Sequence, residues 1–216
     1  MGTINIQPSI LNRKSKIINR KSKEGFTLLE LLVVIVIMMF LAGITLPIVS
    51  SIQTNAKIGV TSAQISQLGL ALKQFESDFG FFPPNDYTAS PVSVGGVSIP
   101  VDSDLDTASK CLVFFLGSKF TFSSPSFNDI YGPYIEFKRA QLDEDVGKTF
   151  GTDTYINIEG VNGTLKIYQY NDPFGKAYSY KSSSPDNNIA SFDIYSYGPD
   201  NNNDFGTSTS DDITNW

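Results

Sequence analysis

The chain has 216 residues, enough for one soluble domain and an anchor, and carries 16 basic against 22 acidic side chains, a net charge of −6. It has no histidine, and Cys111 is its single cysteine. A Ser-His-Asp triad, a Cys-His pair, an imidazole-ligated zinc ion and an intrachain disulfide are therefore excluded. The acidic balance argues against non-specific binding of nucleic acid, and the composition predicts no enzyme.

A long apolar run lies near the amino terminus. Residues 31–49 are nineteen consecutive residues without a charge, and as a helix they would be about 28 Å long, close to one hydrocarbon core. Six basic residues and one acidic residue precede them within residues 1–25, so the positive-inside rule predicts a cytoplasmic amino terminus and an exported remainder. An ordinary signal peptide cut near Ala42-Gly43 is the alternative, but the apolar run continues past that point to Val49.

One carboxylate, Glu30, stands at the head of this run, where a charge is costly and usually functional. The leader ends in Gly25, Phe26 follows it, and Glu30 is the fifth residue counted from Phe26. This pattern resembles the type IV prepilin signature, which type IV pilins share with the pseudopilins of type II secretion. The resemblance implies that a membrane-embedded prepilin peptidase cleaves between Gly25 and Phe26 and then N-methylates Phe26.

Cleavage would create an α-amino group close to Glu30. In a helical filament, Glu30 of one subunit can meet the amino-terminal charge of its neighbour inside an apolar core. Because an unpaired buried ion costs several kcal/mol, subunits in the wrong axial register would be disfavoured, and we predict that Glu30 sets the register of assembly. The alternative is that Glu30 reaches the lipid headgroups of a plain single-pass anchor.

The helix is predicted to continue beyond the membrane as one element over about residues 27–79. Apolar residues recur at spacings of three and four, which places them on one face of the helix; they are Ile65, Leu68, Leu72, Phe75 and Phe79. Gly80 and the pair Pro83-Pro84 are expected to end the helix. Pro47 is predicted to kink or locally unwind it. The resemblance implies that melting there lets the helix extend; a passive kink is the alternative.

The remainder is predicted to form a head in which an antiparallel sheet packs on the helix, an α+β fold. Residues 85–163 are rich in Asp, Ser, Gly and Pro, so irregular structure is expected there apart from a short helix over 103–116. Aromatic and branched residues predict strands over 165–170, 177–181 and 192–197, the first two joined by a turn over 171–176. The acidic run 143–145 is typical of a solvated turn.

Three carboxyl-terminal segments add a narrower resemblance, to the major, G-type pseudopilin of type II secretion. Residues 172–178 resemble its Asp-Pro-Trp-Gly-Asn-Pro-Tyr segment, residues 193–200 its Asp-Leu-Tyr-Ser-Leu-Gly-Ala-Asp segment, and residues 212–216 its Asp-Ile-Gly-Asn-Trp ending. The segment 85–164 is longer than usual in that family, which leaves open a related filament in place of a standard secretion system.

In the resembled family the terminal loop holds a structural calcium ion. Several oxygen-bearing side chains cluster within thirteen positions here, and calcium takes six to eight oxygen ligands. The resemblance implies that Asp200 and Asp212 are ligands, with the main-chain carbonyl of Tyr197, and Asp204 and Asp211 are further candidates. The alternative is a turn rich in Asn and Asp without a metal.

The predicted organisation has four parts: a basic, cleaved prepilin leader over 1–25, a transmembrane and filament-core helix over 26–49, an amphipathic helix over 50–82, and a globular head over 83–216. Loss of the leader would leave 10 basic and 21 acidic residues, a net charge of −11. The pilin-like resemblance implies a structural subunit of a type II secretion pseudopilus, which drives protein export without catalysing a reaction.

The expected partners are other copies of the chain, the prepilin peptidase, minor pseudopilins, an inner-membrane assembly platform with a cytoplasmic ATPase, and membrane lipid before assembly. The expected location is the bacterial inner membrane, in a single pass with the head in the periplasm, and then the periplasmic filament. Two alternatives remain: a type IV pilus pilin for adhesion, motility or DNA uptake, and a membrane-anchored calcium-dependent binding protein.

Overall fold

A computed structural model describes residues 25–94, 96–124, 127–149, 156–160, 166–207 and 210–216. The basic residues of the predicted leader, and Leu165 at the start of a predicted strand, lie outside the described residues. The chain divides into two compact units, with the boundary between Pro47 and Ile48. In addition to helices, the described residues form ten short strands: β1 Ser93–Val94, β2 Val97–Ser98, β3 Lys119–Ser124, β4 Phe127–Tyr131, β5 Leu142–Thr149, β6 Ile156–Glu159, β7 Lys166–Tyr170, β8 Ser179–Lys181, β9 Asp193–Ser196 and β10 Ile213–Thr214.

The long helix, α1, spans Leu28–Phe79 and confirms the predicted single helix. It is the one helix, among the described residues, whose length and composition suit a membrane span. The backbone N–H of Gly80 donates to the carbonyl of Glu76 at 2.7 Å and closes its last turn. Helical structure is continuous through Pro47, so α1 is not locally unwound there. The kink at Pro47 stays a prediction.

The head buries the predicted apolar stripe of α1. Leu68, Leu72 and Phe75 are fully buried, and the ring of Phe75 lies 5.7 Å from that of Phe115 on a second helix, α2, Ala108–Gly117. Such edge-to-face aromatic pairs add specific geometry to the burial of apolar area. The α+β architecture, a long helix followed by small antiparallel sheets, is confirmed.

The second helix is shorter than the predicted 103–116. Thr107 still has an extended backbone, with φ −128° and ψ 148°. Before it, the carboxylate of Asp102 accepts the backbone N–H of Asp104 at 2.9 Å, and the carbonyl of Asp102 accepts the N–H of Leu105 at 3.1 Å. These bonds hold a turn that competes with the helix, because short acidic side chains bond readily to nearby backbone.

The carboxyl-terminal strands pair differently from the predicted order. The sheet has the antiparallel order β10–β9–β8, whereas β7 pairs with β5. The expected hairpin over the turn 171–176 is reduced to a single bridge between Asn171 and Ala177. Beyond that bridge the chain leaves β7, and Tyr180 pairs with Ile194 of β9.

The prediction of irregular structure over residues 85–163 is wrong. Besides the expected short helix, which is α2, this segment forms a three-stranded antiparallel sheet in the order β4–β3–β6 and the strand β5. The alternation was readable in β3, where Phe120 and Phe122 are buried on either side of Thr121. The acidic run 143–145 lies in β5 and is not a turn; Glu144 pairs with Lys166 of β7 and with Arg139.

Two leucines on α1 test the packing of the head. Leu68 is fully buried and Leu70, two residues later, is 70% exposed. Leu68→Ala is expected to lower the free energy of unfolding by about 2–5 kcal/mol, because it leaves a cavity. Leu70→Ala should change it by less than about 0.5 kcal/mol. Urea unfolding of the full chain in detergent measures both, and equal losses would contradict the described packing.

Candidate functional site

Glu30 lies in the first turn of α1 and makes a reciprocal capping arrangement with Thr27. Its Oε2 atom accepts the backbone N–H of Thr27 at 3.0 Å and the Thr27 hydroxyl at 2.9 Å. The Thr27 hydroxyl oxygen accepts the backbone N–H of Glu30 at 3.2 Å. This is a capping box, which satisfies amide groups that a helix start leaves without partners.

The sequence reasoning missed Thr27, although the spacing Thr-x-x-Glu before an apolar run is a known helix-start signal. The contacts with Thr27 use Oε2, which leaves Oε1 of Glu30 as a second acceptor for a cation. Glu30 therefore has two separable properties: its shape starts the helix, and its charge is available to a partner.

The bond between Gly25 and Phe26 lies outside the helix. Both residues are exposed and non-helical, and α1 begins at Leu28. The side chain of Phe26 is 81% exposed. The predicted processing site thus falls in a non-helical stretch directly before the capping box.

A second cluster of carboxylates lies in the loop between β9 and β10. Asp200, Asp204 and Asp211 each offer a carboxylate oxygen, and these oxygens lie within 4.8 Å of one another. Asp211 Oδ2 accepts the backbone N–H of Asp200 at 3.1 Å, which joins the two arms of the loop. Asp200 accepts from the backbone and the side chain of Asn202, and these bonds hold the pKa of Asp200 below its usual value.

Asp212 has a different role in the same loop. Its Oδ2 accepts the backbone N–H groups of Gly206 at 2.7 Å and Asp204 at 3.2 Å. Its Oδ1 is buried and has no hydrogen-bond partner among the described residues. Burial raises the pKa of Asp212, and the nearby charges of Asp204 and Asp211 add to the rise.

Tyr197 and Asn201 complete the description of the loop. Tyr197 follows β9 directly, and its ring lies 5.9 Å from that of Tyr195. Asn201, which the sequence reasoning missed, has a positive φ of 61° and a buried Oδ1 without a hydrogen-bond partner among the described residues. Asn adopts this left-handed conformation more readily than most residues. In the sequence, the residue type was therefore the only indication that Asn201 has a special place in the loop.

The loop therefore gathers hard oxygen donors whose charges repel one another. Carboxylate and amide oxygens of this kind suit calcium. The three carboxylates that lie together are Asp200, Asp204 and Asp211, whereas the resemblance implies Asp200 and Asp212 as the side-chain ligands of calcium. The ligand set itself stays a prediction.

Known families match the two ends of the chain. Residues 20–46 match the family described as prokaryotic N-terminal methylation motif. Residues 153–216 match the family described as type II secretion system protein G. No solved structure matches the chain.

One curated relative is the type II secretion system core protein G of Pseudomonas aeruginosa. It is 36% identical over 64 residues, which are 30% of this chain and 45% of the relative. The match thus spans less than half the length of that relative. With a prepilin methylation motif at one end and a protein G segment at the other, the chain is pilin-like, and its resemblance to the G-type pseudopilins is confirmed.

Proposed function

We propose that this chain is a structural subunit of a type II secretion pseudopilus and catalyses no reaction. The observation that carries the proposal is the union of a methylation motif, one apolar helix and a protein G segment in a single chain. A type IV pilus pilin would share the first two features. The protein G segment favours the secretion filament.

Assembly in this proposal depends on α1. The described part of its apolar half exposes large side chains on every side of the helix, as the consecutive residues Leu31, Leu32, Val33 and Val34 show, so this half needs lipid or other helices around it. Before assembly it lies in the inner membrane as a single span. In the filament, copies of the same helix replace the lipid, and the head stays in the periplasm.

The charge of Glu30 gives this packing its register. In an apolar filament core, the carboxylate is stabilised only where the amino-terminal charge of a neighbouring subunit meets it. The prepilin peptidase supplies that charge by cutting before Phe26. Minor pseudopilins and an inner-membrane platform with a cytoplasmic ATPase are the further partners in this scheme.

Calcium is the proposed structural ion of the carboxyl-terminal loop. The donor set fits it: three carboxylates lie close together, and two further oxygens, Asp212 Oδ1 and Asn201 Oδ1, are buried without hydrogen-bond partners in the described chain. A bound cation would offset the repulsion among these acids and thereby stiffen the loop. The protein's contribution is to hold the two arms of the loop at one spacing.

Processing is tested on the mature chain purified from membranes. We expect its mass to correspond to a chain that begins at Phe26 and carries one N-methyl group. The basic leader would then be absent, because the peptidase removes it before assembly. A mass that retains residues 1–25 would contradict the pseudopilin proposal and would favour a plain anchored protein.

Two substitutions of Glu30 separate its shape from its charge. Glu30→Gln keeps a side chain that can complete the capping box, whereas Glu30→Ala loses both the box and the charge. Both variants should be cleaved, and both should fail to form filaments, because the amino terminus of the neighbour has no counter-charge. Filament yield by electron microscopy and cleavage by mass are the measurements. Normal filaments from Glu30→Gln would refute the register argument.

Calcium binding is tested by thermal unfolding of the mature chain in detergent, in calcium and in EDTA. Calcium at about 100 times its dissociation constant should add about 2.7 kcal/mol to the free energy of unfolding. Asp211→Asn should remove most of this gain. Asp186→Asn is the matched control, because Asp186 forms an exposed surface pair with Lys181 on the same head. If calcium does not stabilise the unaltered chain, the proposed calcium site is refuted.

A further inference from the structure

Asp172 connects the turn 171–176 to strand β9. It is 3% exposed, and its Oδ1 accepts the backbone N–H groups of Phe174 and Lys176, each at 2.9 Å. Its Oδ2 accepts the hydroxyl of Ser196 at 2.5 Å. The carboxylate is thus held on one side by the turn and on the other by the last residue of β9.

Ser196 passes this connection to the start of the acidic loop. It is fully buried, and its hydroxyl oxygen accepts the backbone N–H of Gly198 at 3.1 Å. The same residue is paired with Ile213 of β10. Ser196 therefore lies where the chain enters the loop and opposite the point where it leaves.

Gly198 lies directly against the returning arm of the loop. Its φ is +67°, and a Cβ atom built there would lie 2.2 Å from the carbonyl oxygen of Asp211. Position 198 needs a glycine because of its positive φ and because a side chain would collide with Asp211. The close approach fixes the separation of the two arms that carry Asp200 and Asp211.

We propose that Asp172 and Ser196 are positioning residues for the acidic loop. The contacts run from Asp172 to Ser196, from Ser196 to Gly198, and from Gly198 to Asp211, and they hold the two arms at one spacing before any ion binds. Preorganisation of this kind increases affinity by lowering the cost of ordering the site. The inference rests on the proposed calcium site for its binding readout, but the loop contacts stand without the ion.

A merely structural serine provides the matched control. Ser109 is also buried, and its hydroxyl donates to the carbonyl of Tyr170 and accepts the N–H of Tyr170, both at 2.9 Å. Ser109 belongs to α2, outside the loop. Ser109→Ala should lower the thermal midpoint in EDTA and leave calcium affinity within about twofold.

Ser196→Ala is the decisive variant, measured on the mature full-length chain in detergent. We expect calcium affinity to fall by about tenfold or more, since a hydrogen bond to a charged group is lost. In EDTA, the backbone amides of Gly198, Asp200 and Asp212 should exchange hydrogen about tenfold faster than in the unaltered chain. Gly198→Ala, which keeps Ser196, should give the same two changes because it forces the arms apart.

The two measurements test separately the positioning role of Asp172 and Ser196 and the binding of calcium. If Ser196→Ala changes neither the calcium affinity nor the amide hydrogen exchange, the positioning role is overturned and the calcium proposal stands. If the unaltered chain binds no calcium, the calcium proposal fails. Hydrogen exchange in EDTA then still tests whether Asp172 and Ser196 position the loop. Faster exchange limited to residues 196–198 would overturn the positioning role, whereas faster exchange that extends to Asp200 and Asp212 supports it. Should Ser196→Ala fail to fold, Asp172→Asn supplies both measurements, because its amide keeps an oxygen for the turn but removes the acceptor of the Ser196 hydroxyl.

Discussion

The constraint on which this protein depends is that one continuous helix must suit two surroundings. From Leu31 to Ile44 the side chains of α1 are apolar all round, and Glu30 just before them carries the one charge of this part of the helix. From about Thr61 onward, buried positions recur every three or four residues and the positions between them are exposed. The first pattern needs an apolar environment on every side, and the second needs a head on one side only.

The head holds α1 with a polar contact as well as with its apolar stripe. Gln64 is buried, and its side chain donates to Gln141 Oε1 at 2.6 Å and accepts the hydroxyl of Tyr178 at 2.7 Å. Apolar packing tolerates small slips along a helix, but these hydrogen bonds fit one position. Because a buried amide without partners is costly, Gln64 favours a single placement of the amphipathic half on the head.

The sequence was sufficient for features that depend on local pattern. The uncharged apolar run and the apolar spacing of three and four beyond it together predicted α1 to within a residue or so, and the aromatic runs predicted β7, β8 and β9. Strand pairing was not readable, because which strand lies beside β7 is decided by the distant β5. The capping box of Thr27 was readable from spacing and was missed. The contacts of Asp172 with Ser196 could not be read, since they join residues from separate elements.

The acidic residues show what the fold can satisfy by itself. Asp172 and Asp193 are both 3% exposed, and each accepts several backbone N–H groups; those of Asp186, Asn187 and Asn188 converge on Asp193 at 2.7–2.9 Å. These buried carboxylates need no cation, because hydrogen bonds stabilise their charge. The three grouped carboxylates of the loop and the single one at Glu30 are different. The loop acids repel one another, and Glu30 stands in an apolar helix; under the proposed function, a cation from outside the subunit would stabilise each. The proposed assembly and the proposed metal binding would then solve the same electrostatic problem, which is a carboxylate charge that the subunit alone does not offset.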